Sequence, residues 1–190
     1  KQSELKKEVA TVLLFGAMFS AGIVLLGLLL SPVILQALDV PPQVLPDAVL
    51  YLRIIFLGMP FTYLYNAMSS ALRSVGDSKT PIRFLATASV LNVCLDIVFV
   101  AFGHWGVFGA ALATVLAEAF SGILCLWYIW RHVPMLKLSA RELRIDRGLL
   151  RKTLKQGSIT ALQQSCQPIG KLLIQGMINP LGVSAMAAFN

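Results

Sequence analysis

Five stretches of this chain are each long and apolar enough to cross a lipid bilayer: residues 9–38, 48–72, 84–102, 107–130 and 159–178. A bilayer core about 30 Å thick takes about 20 helical residues. With no water inside it, every backbone N–H and C=O must pair within the segment, so single spans of this length are helices. The expectation is an all-α, polytopic membrane protein with five transmembrane helices and the start of a sixth after Pro180-Leu181-Gly182. Composition agrees, since only 13% of the residues are charged, about half the share of a soluble domain. An odd number of complete spans followed by one barely begun reads as a piece of a larger protein.

The net charge of +7 raises the question of a nucleic-acid partner, and the positions of the charges answer it. All but two of the 16 basic residues precede the first span (Lys1, Lys6, Lys7), lie between the second and third (Arg73, Lys79, Arg83) or separate the fourth from the fifth (Arg131 to Lys155). The intervening loops, Asp39 to Asp47 and Gly103 to Gly106, hold no Lys or Arg. This alternation is the positive-inside pattern, so the expected partner is the bilayer and no nucleic acid, with the amino terminus on the cytoplasmic side of a cell (inner) membrane. Residues 134–155 are then a basic cytoplasmic linker, solvated or, from Arg144 to Lys155, an amphipathic helix on anionic headgroups. Cys94, Cys125 and Cys166 all fall in apolar stretches and read as buried thiols. His104 and His132 fall at opposite faces, and no triad or metal-ligand spacing occurs, so neither an enzyme nor a metal site nor a cofactor is expected.

Three spans carry a charged residue in their interior: Asp96, Glu118 and Lys171. Such groups cost about 2.5–3.5 kcal/mol at a helix centre and must face protein or water. Each lies twelve residues from the cytoplasmic end of its span, which predicts a common depth of about 18 Å at 1.5 Å per residue. Ser89, Asn92 and Asp96 share a helix face. They serve either as an ion or proton site or as interhelical hydrogen-bonding groups. Glu118 borders a face of small residues, Gly109, Ala113, Ala117 and Ser121, suited to close helix packing. It is either a coupling group or a protonated carboxyl bonded within the bundle. In the fifth span Gln164, Gln167, Lys171 and Gln175 fall within a sector of about 80°, and Pro168 frees the carbonyl of Gln164. This wet face predicts a cavity wall, or else contact with another polar helix.

A series of motifs runs the length of the chain: Tyr51-Leu52 followed by Gly58-Met59-Pro60, then Leu72-Arg73-Ser74-Val75-Gly76-Asp77-Ser78-Lys79-Thr80-Pro81, then Asn92 with Asp96, then Gly106-Val107-Phe108-Gly109-Ala110-Ala111-Leu112-Ala113-Thr114. In this order the series resembles the multidrug and toxic compound extrusion (MATE) transporters, from the third helix to the start of the eighth of a twelve-helix, two-lobe architecture. The resemblance implies that 1–133 belong to the N-terminal lobe, 134–155 to the inter-lobe linker and 156–190 to the start of the C-terminal lobe. It implies export of cationic amphipathic small molecules against Na⁺ or H⁺ by alternating access, with the missing helices of the same transporter as partners. Asn92, Asp96 and Glu118 are the expected coupling residues, and Gln164, Gln167, Lys171 and Gln175 the expected cavity lining. Gln167 stands where some members carry an acidic coupling residue, and Lys171 has no evident counterpart. A Lys171–Glu118 pair across the lobe interface is expected as a latch. A lipid-linked saccharide flippase of the same superfamily, or a membrane subunit without transport activity, are the alternatives.

Overall fold

The computed structural model describes the backbone of residues 2–38, 40–136 and 145–178, and side chains for 4–38, 40–136 and 145–166. All regular structure among the described residues is helical: α1 (Gln2–Ala37), α2 (Leu45–Ser74), α3 (Lys79–Asp96), α4 (Gly106–His132) and α5 (Arg147–Ile178). After Asp96 the backbone of α3 widens into a π-helix, Ile97–Phe102, so one continuous rod runs from Lys79 to Phe102. Among the described residues, four helices are long and apolar enough to cross a membrane. The chain is thus a multi-pass membrane protein; the second, third and fourth expected spans lie inside α2, the α3 rod and α4, and the first, 9–38, runs one residue past the end of α1. The fifth expected span falls within α5, where the side chains of Gln167, Lys171 and Gln175 are outside the described residues.

Two compact units divide at Asp146–Arg147. The second contains α5, which begins at Arg147 and so makes helix of the last residues of the expected linker, 147–155. Three of its hydroxyls bond within their own helix, Ser158 to Lys155, Thr160 to Gln156 and Ser165 to Ala161.

The first unit is built on α2, which packs against both α1 and α4, while α3 packs chiefly on α4. Against α1, aromatic rings lie over glycines: Tyr63 covers Gly16 and Phe56 covers Gly27, and any Cβ at either glycine would collide with the ring. Tyr63 donates its hydroxyl to the Val12 carbonyl at 2.5 Å. Proline supplies a second tie. Pro32 lies inside α1, and its missing N–H deprives the carbonyl of Leu28, four residues earlier, of its helical donor. Arg53 of α2 reaches across and donates Nε to that carbonyl at 3.2 Å. The carbonyl that proline leaves without its helical donor thereby has a partner.

Between α2 and α4 the backbones approach closely. A Cβ at Gly122 would stand 3.1 Å from the Phe61 carbonyl oxygen. Gly109, Ala113, Ala117 and Ser121 are all buried, as expected of a packing face, with Gly109 against Phe99 and Trp105 and with Ala117 and Ser121 bordering the space toward α3.

The basic end of the bundle has a side-chain core of Met68, Ala71, Leu72, Cys125, Ile129 and Leu136, against which Leu5, Val9 and Leu13 of α1 pack. Here α2 stops in a Schellman turn: Gly76 takes φ +92°, its N–H bonds the Arg73 carbonyl, and the Asp77 N–H bonds that of Leu72. Asp77 then accepts the Thr80 N–H at 3.0 Å and caps the start of α3. Hydrogen bonds from the Thr80 side chain and the Thr80 N–H, with further ones from Tyr128 and the Lys79 N–H, hold the Asp77 carboxyl below its ordinary pKa. At the far end the Gly103–Gly106 turn reverses the chain, with left-handed backbone at His104 (φ 55°) and Gly106 (φ 54°). Trp105 stacks on Phe99 at 5.0 Å between ring centres.

Candidate functional site

A groove of about 280 Å³ opens between α3 and α4. From α3 it is lined by Ser89 and Asn92 among apolar side chains, and from α4 by Thr114, Ala117, Glu118 and Ser121. Local helix geometry produces this grouping. Ser89 and Asn92 are three apart, and Thr114, Ala117, Glu118 and Ser121 step by three and four, so each set faces one way. The small residues of α4 leave the space that the groove occupies.

Two of the three expected coupling residues, Asn92 and Glu118, therefore meet in one groove. Asp96 lies one turn beyond Asn92 and is not part of the lining. The expected common depth of Asp96 and Glu118 needs adjustment. Phe84 packs on Tyr128 and the Phe99 Cβ lies against Gly109, a register that sets Glu118 opposite Asn92 and Asp96 about a turn nearer the far end. Counting residues from span ends assumes flush ends, whereas α4 extends to His132 and α3 begins at Lys79.

Hydrogen bonding separates these residues further. The Asn92 Nδ2 and Asp96 Oδ1 atoms are buried without a hydrogen-bond partner, a costly condition for polar atoms at this depth. Ser89, Thr114 and Ser121 bond to carbonyls of their own helices, Leu85, Ala110 and Glu118. Glu118 is different. Its Oε2 accepts the Thr62 hydroxyl of α2 at 2.5 Å, and a Cβ on Gly58 would lie 3.3 Å from the same oxygen and 2.8 Å from Val115 Cγ2. Glycine at 58 thus admits the carboxyl to the α2 surface. Neither Thr62 nor Gly58 emerges from the sequence as a site residue, because the contact joins positions 56 residues apart. The available signal was a hydroxyl one turn after a glycine inside an apolar span.

Among the described residues no group of three or more His, Cys, Asp and Glu could hold a metal ion. The Lys171–Glu118 pair involves a side chain outside the described residues. Gln164 is exposed on α5.

A sequence profile of the MatE family matches residues 1–98. The chain is 34% identical to the probable multidrug resistance protein YpnP of Bacillus subtilis, over 94% of this chain and 39% of that protein. Among solved structures, a transporter of the MOP superfamily from Pyrococcus furiosus, described as having a binding pocket of reversed polarity, superimposes with a TM-score of 0.81 at 22% identity, over 93% of this chain and 39% of the other. An inward-facing multidrug resistance transporter of the MATE family gives a TM-score of 0.71 at 17% identity, over 81% of this chain and 40% of the other. At these identities the structures establish a shared fold. The chain spans about two fifths of the length of the relatives it matches.

Proposed function

The chain belongs to the MatE family, and on that premise we propose that it forms part of a secondary active multidrug exporter, which exchanges cationic amphipathic small molecules for Na⁺ or H⁺ by alternating access. The groove between α3 and α4 carries this reading. It places Glu118 and Asn92 together inside the membrane-spanning bundle, with Asp96 a turn away, and intramembrane carboxyl groups are expensive enough to be kept chiefly where they work. Asn92, Asp96 and Glu118 couple ion movement to export, and Gln164, Gln167, Lys171 and Gln175 line the cavity from the second lobe. The basic end, with Arg73, Lys79, Arg83 and Arg131, faces the cytoplasm. The multidrug designation of YpnP supports the substrate class.

The test is transport by the full-length protein in proteoliposomes, with a fluorescent organic cation as substrate and an imposed Na⁺ or pH gradient. Gradient-driven export is expected, falling about tenfold or more in Asp96→Asn, which keeps the shape and removes the charge. Undiminished export in Asp96→Asn removes that residue from coupling. Failure of both gradients to drive export by the wild type rejects the exporter.

A further inference from the structure

Threonines inside helices ordinarily turn their hydroxyl to the carbonyl four residues back. Thr11, Thr87, Thr114 and Thr160 do so here, at 2.7, 2.9, 3.1 and 3.1 Å. Thr62 departs from the pattern. Its Oγ1 stands 3.5 Å from the Gly58 carbonyl, at the limit of a hydrogen bond, because the hydroxyl is drawn to Glu118 Oε2 at 2.5 Å. One hydroxyl has one proton to donate, so it serves the carboxylate and makes only a marginal side-chain contact with the Gly58 carbonyl.

From this geometry we propose that Glu118, Thr62 and the Gly58 carbonyl form a proton-binding switch at the α2–α4 seam, loaded through the α3–α4 groove. This deepens the exporter reading, on which it rests, by naming H⁺ as an ion the site takes. With Glu118 ionised, Thr62 Oγ1–H donates to Oε2. A proton arriving from water in the groove forms an O–H bond on Oε2, and that O–H donates to Thr62 Oγ1. The threonine hydroxyl, now an acceptor, swings its own hydrogen to the Gly58 carbonyl. Only the proton from water is transferred, and no other bond breaks. Both forms of the carboxyl therefore keep a partner, so neither protonation state leaves a buried polar atom orphaned. An interhelical tie alone would need only one of these arrangements.

The surroundings suit a site that binds one proton. Among the described residues that line the groove, Glu118 is the only ionisable one. The next described acid on an element packed against α4 is Asp96, about a turn nearer the far end, while α2 contributes Thr62 and the uncharged Gly58 at this level. Glu118 touches both the groove and α2, so proton arrival on one face changes a hydrogen bond on the other. This is the form of coupling a helix rearrangement needs.

The experiment is infrared difference spectroscopy on the full-length protein in membranes, titrated across about pH 4 to 9, beside proton-driven export. A protonated-carboxyl C=O band is expected to rise with acidification and to vanish in Glu118→Gln. In Thr62→Val it is expected to move to higher wavenumber, because the carboxyl O–H loses its acceptor, while Thr62→Ser keeps it in place. Proton-driven export should fall about tenfold or more in Glu118→Gln. A spectrum with no Glu118-dependent band overturns the switch even if export proceeds, and a band unmoved in Thr62→Val overturns the role of the hydroxyl. A Glu118 band in a protein that exports nothing leaves the proton site standing and rejects the exporter, so the two failures are distinguishable.

Discussion

The two faces of α4 treat polarity in opposite ways. Toward α2 the seam is close and paired: Gly58 and Gly122 let the backbones approach, and Thr62 satisfies Glu118. The other face of α2 behaves likewise, with Tyr63 bonded to Val12 and Arg53 bonded to Leu28. Toward α3 the seam opens into a groove, and the polar atoms Asn92 Nδ2 and Asp96 Oδ1 have no partner. Pairing holds the α2 side together, with the Thr62–Glu118 bond shared between frame and switch, and want of partners on the other side marks polar groups kept for something besides stability. Where the membrane supplies no water, that difference separates scaffold from site more sharply than hydrophobicity does.

The seam toward α2 breaks most severely at Gly122. Its Cβ direction meets backbone, the Phe61 carbonyl oxygen at 3.1 Å and the Tyr65 nitrogen at 3.4 Å, neither of which can rotate away. Gly122→Val should destabilise the detergent-solubilised protein by about 2–3 kcal/mol, the upper range for overpacking, measured by thermal unfolding. A loss below that of Gly122→Ala would show that α2 and α4 slide apart easily and that the seam is not the rigid element.

A smaller effect tests the tie to α1. Arg53→Met keeps a long apolar stem but removes the donor to Leu28, leaving that carbonyl without a partner at a cost of about 0.5–1.5 kcal/mol. The cause is Pro32, so in a Pro32→Ala background, where the helical N–H returns, the same substitution should cost much less. This coupling is what a double-mutant cycle measures. Equal losses in both backgrounds would mean that Arg53 acts elsewhere.

The frame was largely legible in the sequence, because span length and the alternation of basic loops act residue by residue. The expected 84–102 lies within the Lys79–Phe102 rod, and the expected 107–130 within Gly106–His132. The small residues from Gly109 to Ser121 declared a packing face by spacing alone. The pairing was not legible. Thr62 with Glu118, and Arg53 with the carbonyl freed by Pro32, join distant positions through helix rotation and register, which no local pattern encodes. The register also set Glu118 opposite Asn92 rather than Asp96, since helix ends are staggered by a turn and counting cannot see the stagger.

The smallest expected change in stability is the most informative for the contrast between the two faces. Asn92→Leu replaces a carboxamide whose Nδ2 is buried and unpartnered by an apolar group of similar size. The desolvation cost of that nitrogen is already present in the native protein, and its removal leaves no donor stranded. Unfolding free energy should therefore change by less than about 1 kcal/mol, while export in the full-length protein should fall severely. Thr62→Val makes the matching deletion on the paired seam. It strips the Glu118 carboxylate of a charge-assisted donor and should cost about 1.5–3 kcal/mol. The inequality between the two is the prediction, since both remove a polar group from a membrane-spanning helix beside the same α4. If Asn92→Leu proves the more damaging to folding, the groove is a structural hydrogen-bonding layer, and the division of α4 into a scaffold face and a working face fails.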